Sequence, residues 1–207
     1  MGSLLEAPLA IVDLETTGGR PAEDRVTEIA VLEVESFEVA REWSTLVNPG
    51  RAIPGAIQAL TRITQEMVEG APRFEELAAA LYERLAGRVF VAHNARFDYG
   101  FLRREFERAG IRFHARTLCT VRLSRRLYRG EGGHSLDHLI GRHGLRCSTR
   151  HRAMGDAEAA WHFLQIAAEE HGEDIVAVAA RQIARDPDYY RILSRHLGRR
   201  GVRVVPL

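Results

Sequence analysis

The chain has 207 residues, 45% of them hydrophobic, and a formal net charge of +1, which fits one globular domain or a domain with a small appendage. All 29 basic residues are Arg, which excludes a Lys nucleophile or Lys general base and leaves guanidinium forks, His or backbone amides as the means of holding a phosphate. Cys119 and Cys147 make no metal-binding spacing and require no disulfide. No run approaches the roughly 18 apolar residues of a spanning helix and no signal-peptide pattern opens the chain, so a cytoplasmic location without membrane partners is expected.

Residues 9–15 (LAIVDLE) read as a first strand, residues 26–35 as a second and residues 41–47 as a third. The links at 16–25 and 36–40 are short enough for antiparallel neighbours. Breaks at Gly50, Pro54 and Gly55 precede a short helical segment at 56–61. A longer helix is predicted over 74–86, where Phe74, Leu77, Leu81 and Leu85 form one apolar stripe. Gly87 stops it, and a buried-type strand follows at 88–92. A second amphipathic helix spans 97–109, with Phe97, Phe101, Leu102 and Phe106 as its contacts, before an extended stretch at 112–119. Further helices are predicted at 121–128, 135–143 and 152–169, and a last helical piece at 173–198 breaks at Pro187. This order predicts a mixed α/β sheet with a right-handed crossover.

Charge is unevenly distributed. Residues 1–86 carry 15 acidic groups against 7 Arg, residues 121–152 carry 8 Arg against 2 acidic groups, and residues 181–207 carry 7 Arg against 2 Asp. The two basic segments can offer a positive surface to phosphates, although solvated helix faces account for many such Arg.

Three short segments carry candidate chemistry. Asp13 and Glu15 lie two residues apart near the end of the first strand, so both carboxylates fall on one face while Leu14 points to the other. Like charges on one face are unfavourable unless solvent, a proton or a cation intervenes, and Mg²⁺ and Mn²⁺ favour such oxygen ligands. Asp98 falls in a first helical turn just beyond a strand, where free amides favour a carboxylate and Asn94 is placed to cap the helix. Asp156 lies on a face otherwise made of Ala153, Ala157, Ala160 and Leu164, where an acid is paired, protonated or metal-bound. His151 precedes that helix on a loop. Each residue alone has an ordinary structural explanation, as a strand-end acid, a helix-start acid or a capping His. Together, three acidic segments and a nearby His fit phosphodiester hydrolysis better.

The segments IVDLETTG (11–18), HNARFDYGFL (93–102) and HRAMGDA (151–157) resemble, in order and separation, the motifs of the DnaQ-like 3′–5′ exonuclease family, which includes the proofreading epsilon subunit of bacterial DNA polymerase III. The resemblance runs from about residue 8 to residue 169. It implies a ribonuclease H-like fold, a mixed five-stranded sheet flanked by helices, as an exonuclease domain at 1–172 with a helical extension at 173–207. It also implies that Asp13, Glu15, Asp98 and Asp156 are catalytic metal ligands for two Mg²⁺ or Mn²⁺ ions. His151, five residues before Asp156, is then the general base of the histidine (DEDDh) subclass. Leu14, Thr16, His93, Asn94 and Phe101 adjoin these motifs and are candidates for contact with the terminal nucleotide, His93 and Asn94 by shaping the site. A Phe101 ring could stack on a base, but its place in the buried stripe of its helix favours a packing role. The expected reaction is hydrolysis of single-stranded DNA from its 3′ end to nucleoside 5′-monophosphates, in proofreading or repair. RNA is the alternative substrate, a noncatalytic nucleic-acid-binding subunit the alternative class, and a DNA polymerase subunit the candidate partner.

Overall fold

The computed structural model describes residues 7–172 together with 175, 178 and 179. Strands β1 (Leu9–Thr16), β2 (Val26–Glu35), β3 (Glu38–Leu46), β4 (Val89–Ala92) and β5 (Arg116–Cys119) form one sheet in the order β3-β2-β1-β4-β5. β1, β2 and β3 pair antiparallel, whereas β4 runs parallel to β1 and β5 parallel to β4. The parallel step is possible because β3 and β4 are joined by a long crossover containing α1 (Gly55–Thr61), α2 (Gln65–Glu69) and α3 (Phe74–Leu85). α4 (Ala95–Arg108) joins β4 to β5. α5 (Thr120–Leu127), α6 (Leu136–His143) and α7 (Ala153–His171) complete the described elements. This is the mixed, helix-flanked ribonuclease H-like sheet that the sequence predicts.

Period-two alternation in β1 divides the core. Leu9 and Ile11 face a layer with Ala153, Ala157, Ala160 and Leu164 of α7. Ala10, Val12 and Leu14 face the opposite layer, with Phe74 and Leu81 of α3 and Phe101, Leu102 and Phe106 of α4. Burying each large side chain stabilises the fold by about 1.5–3 kcal/mol, so register is strongly fixed: a one-residue slip would turn both apolar sets over. It would also carry Asp13 and Glu15 away from α7.

Several boundaries differ from expectation. The link between β2 and β3 is only Ser36 and Phe37, both at positive φ, a tight hairpin whose backbone twist suits the strands it joins. β3 therefore starts three residues early. α4 starts at Ala95, and Asn94 caps it in a left-handed conformation with no side-chain cap bond, so the expected side-chain cap is not formed. The extended stretch at 112–119 is a strand only from Arg116. The short α2 was not expected; its Thr64 cap accepts from the Met67 amide. The predicted piece at 173–198 with its break at Pro187 lies outside the described residues apart from 175, 178 and 179. No helix among the described residues is long and apolar enough to cross a membrane.

Candidate active site

At the carboxyl end of β1, Asp13 and Glu15 point toward α7, and carboxylate oxygens of Asp13, Glu15 and Asp156 lie within 4.8 Å of one another. Asp98 reaches in from the first turn of α4, is only 3% exposed, and accepts hydrogen bonds from its own amide and that of Leu14. Asp13, Glu15 and Asp156 thus meet from one strand end and one helix start, while Asp98, outside that 4.8 Å group, acts on Asp13 as a neighbouring charge from the start of α4.

Other buried acids are treated differently. Glu33 is held by Arg84 and Arg88, Glu105 by Arg25 at 2.7 Å and Arg108 at 3.2 Å, and Glu28 by a fork from Arg152 at 2.5 and 3.1 Å. Glu28 also accepts from the Ala153 amide at 2.9 Å, fixing the start of α7. Among the described residues, no guanidinium pairs directly with Asp13, Glu15 or Asp98. Among the described residues the cluster has one direct cationic partner, Arg150, which pairs with Asp156 and reaches Asp137 with its Nε at 2.7 Å.

The electrostatics follow. Burial, then the charges of Asp98, Asp156 and Glu15, push the Asp13 carboxyl well above the usual carboxylate range. Asp13 borders an open cavity yet lies deep among protein atoms, and desolvation is therefore the larger cause. Burial and then Asp156 and Glu28 push Glu15 up to about 7. Burial raises Asp98 to about 8 against the two amide hydrogen bonds that oppose it. Asp156 is also raised by burial, while Arg150 and the His151 amide hold it down. Three nearby oxygen-donor groups that resist ionisation together fit a hard divalent cation, and the Asp13, Glu15 and Asp156 set matches a two-metal site for Mg²⁺ or Mn²⁺.

Asp13 and Asp156 open on a cavity of about 960 Å³, which Glu15 and Asp98 do not line. His93, Asn94, Arg96 and Tyr99 also line it, as do Arg122, Arg125, His134, Asp137 and Arg150. The basic segment 121–152 thus supplies part of the lining. His93 Nδ1 lies 2.9 Å from the Thr120 hydroxyl, and burial lowers the ring to about 4, so it is neutral near pH 7.

His151 adopts a left-handed φ of 57° between two anchored neighbours, Arg150 on Asp156 and Arg152 on Glu28. Its amide donates to Asp156, while its side chain is not among those lining the cavity. Gly155 keeps this loop close: a Cβ there would lie 2.1 Å from the Thr149 carbonyl oxygen.

Of the residues expected around the nucleotide, His93 and Asn94 line the cavity. Leu14 is buried in the opposite layer and contributes its amide to Asp98. Thr16 is buried, its hydroxyl donating to the Gly18 carbonyl at 2.6 Å. Phe101 is 0% exposed and packs on Phe97 at 4.9 Å, which leaves no ring face for a base. The residues that sequence reading missed are Arg150, Asp137, Arg122, Arg125 and His134; the basic excess of their segment was a signal for the Arg only.

The family model RNase_T, described as Exonuclease, matches residues 10–164, from β1 into α7. The 3′–5′ exonuclease DinG of Bacillus subtilis (strain 168) is 38% identical over 150 residues, covering 72% of this chain and 16% of that protein. A putative bifunctional exonuclease/endonuclease protein of Mycobacterium tuberculosis is 38% identical over 179 residues, covering 82% of this chain and 28% of its own length. This chain therefore spans well under a third of either curated relative. Among solved structures, exonuclease X in complex with 5′ overhanging duplex DNA superposes with a TM-score of 0.67 at 28% identity, covering 83% of this chain and 99% of that one. With its motifs, sheet order and acidic cluster in agreement with that match, the chain belongs to the RNase_T exonuclease family, within the DnaQ-like (DEDDh) 3′–5′ exonucleases.

Proposed function

We propose that the protein is a divalent-metal-dependent 3′–5′ exonuclease that releases nucleoside 5′-monophosphates from the 3′ end of single-stranded DNA. The observation that carries this reading is the acidic cluster: among the described residues, Asp13, Glu15 and Asp156 bring carboxylate oxygens within 4.8 Å of one another with Arg150 as their one direct guanidinium partner, and Asp13 and Asp156 line a cavity that also presents Arg96, Arg122 and Arg125. Asp13, Glu15, Asp98 and Asp156 would hold the ions. Bound Mg²⁺ or Mn²⁺ supplies Lewis-acid neutralisation of the scissile phosphate and of the departing 3′ oxygen.

The chain's own groups do the rest. His151 accepts the proton of the attacking water as its oxygen bonds to phosphorus and the P–O3′ bond breaks. This role requires the ring to turn toward the cavity from its loop. Arg122 and Arg125 attract the backbone, and His93 and Asn94 border the terminal nucleotide. Leu14 and Thr16 act through the backbone they fix at the end of β1. Residues 1–172 form the catalytic unit of this proposal, with 173–207 as an extension. The resemblance to the epsilon subunit makes a polymerase subunit the candidate partner, to be tested by co-sedimentation of purified proteins.

The test compares 5′-labelled linear single-stranded DNA, circular single-stranded DNA and RNA of matched length under equal Mg²⁺. Stepwise shortening of the linear DNA with 5′-mononucleotide release is expected, with the circle intact. Rapid cutting of the circle would overturn exonuclease action, and faster turnover of RNA would reassign the substrate.

A further inference from the structure

A second cavity, about 720 Å³, adjoins the first, and Asn94, Arg96 and Tyr99 line both. One wall is the outer face of α4, where Arg96, Phe97, Gly100, Arg103, Arg104 and Glu107 recur at helical spacing; Gly19, Pro21 and Ala22 of the loop after β1 form the other.

Three features suit this groove to a nucleic-acid backbone. The first is charge: Arg96, Arg103 and Arg104 are exposed, and no ion pair engages Arg96 among the described residues. The Arg104–Glu107 pair at 2.5 Å is solvent-exposed; such pairs are worth about 0–1 kcal/mol, so a phosphate can compete for the guanidinium. The second is length. Arg96 to Arg104 spans about 12 Å along the helix, enough to run beside more than one phosphate of a strand. The third is space. Gly100 lies in the middle of α4, where Gly is about 1 kcal/mol worse than Ala. A Cβ there would meet only the Pro21 Cγ at 3.6 Å, so close packing does not require the glycine, whereas an open groove benefits from it. Half-buried Phe97 adds an aromatic edge.

We propose that this groove binds the sugar-phosphate backbone of the substrate strand on the 5′ side of the scissile bond. If the acidic cavity takes the 3′-terminal nucleotide, all remaining nucleotides lie on one side of the cleaved phosphate, and the groove continues the cavity past Arg96. The assignment of strand side rests on the exonuclease reading; the groove's affinity for a strand does not depend on turnover.

The test is fluorescence anisotropy of 5′-fluorescein oligothymidylates with the full chain in EDTA, where no cleavage occurs. Wild type should bind longer oligomers more tightly than a trinucleotide. Arg103→Ala/Arg104→Ala should weaken the long oligomer about tenfold and lower its salt slope by about 1.4, two phosphates at about 0.7 each on a single strand. Gly100→Met should reduce the same length-dependent gain by filling the groove without changing charge, and Glu107→Gln should increase it. Trinucleotide affinity should stay at the wild-type value in all three; the melting temperature should stay unchanged in the double Arg and Glu107→Gln variants and should not fall in Gly100→Met, where a mid-helix glycine is replaced by a better helix former. Unchanged long-oligomer affinity in the double Arg variant and in Gly100→Met overturns the proposal, as does an equal loss for the trinucleotide. Weakened binding of a blunt duplex with unchanged single-strand binding also overturns it, since the ligand would then be the complementary strand. A wild type that cleaves nothing in Mg²⁺ yet shows the expected pattern in EDTA supports the groove while removing the nuclease reading.

Discussion

Arg150 bears most directly on the acidic cluster, because its guanidinium pairs with the Asp156 carboxylate that a cation would also use. Removing it should move two observables in opposite directions. In Arg150→Ala the metal-free protein should melt at a lower temperature, since the acids lose their one direct counter-ion. Its Mn²⁺ affinity by calorimetry should rise about tenfold, a competition worth about 1.4 kcal/mol. Unchanged Mn²⁺ affinity would refute the competition. His151→Ala should behave differently: ion binding persists, while the single-turnover rate falls about 10²–10⁴-fold. That loss should ease as pH rises, because hydroxide replaces the missing proton acceptor; full rescue by extra metal would assign His151 to the ion site. The grouping of Asp13, Glu15 and Asp156 was legible in the sequence because strand alternation and a helix start give an acid a definite direction. Leu14 and Thr16 were read from adjacency alone and are buried away from the cavity, whereas the buried stripe that already argued for packing at Phe101 is where that ring lies. Arg150 carries no such positional mark among the Arg of its segment.

The junction between the His151 loop and α7 depends on close backbone approach. Gly155→Ala would place a methyl group 2.1 Å from the Thr149 carbonyl oxygen, a backbone atom that cannot swing aside. Chemical denaturation should show a loss of about 1–3 kcal/mol, with activity reduced through displacement of the loop. Gly141→Ala in α6, where nothing lies within 4 Å of the added carbon, is the control and should stabilise by up to about 1 kcal/mol. Equal effects of the two would contradict the packing account. Helices were legible where an apolar stripe faces the sheet, as in α3 and α4. Ends were less legible because they depend on backbone conformation: the hairpin at Ser36 and Phe37 and the left-handed Asn94 each moved a boundary by two or three residues. The short α2 has too few residues to show a period.

Across the whole molecule, the acidic cluster makes metal-free stability depend on pH. Folded Glu15 and Asp98 retain protons to about 7 and about 8, against ordinary values of 4.5 and 3.8. Between about pH 4 and about pH 8 the folded state therefore binds more protons than the unfolded one, and stability contributed by these groups falls as pH rises. The gap in melting temperature between Mg²⁺-saturated and metal-free protein should widen across that window, and Asp98→Asn should flatten the metal-free slope. A constant gap would contradict the shared-carboxylate picture. The central claim, that this cluster binds the ions that drive hydrolysis, is tested most directly by Asp156→Asn. Its Mn²⁺ affinity and its single-turnover cleavage of 3′-ended single-stranded DNA should be measured on one preparation. The variant should remain folded, bind Mn²⁺ at least about tenfold more weakly and lose cleavage at limiting metal; a folded variant that cleaves at the wild-type rate under those conditions would contradict the account.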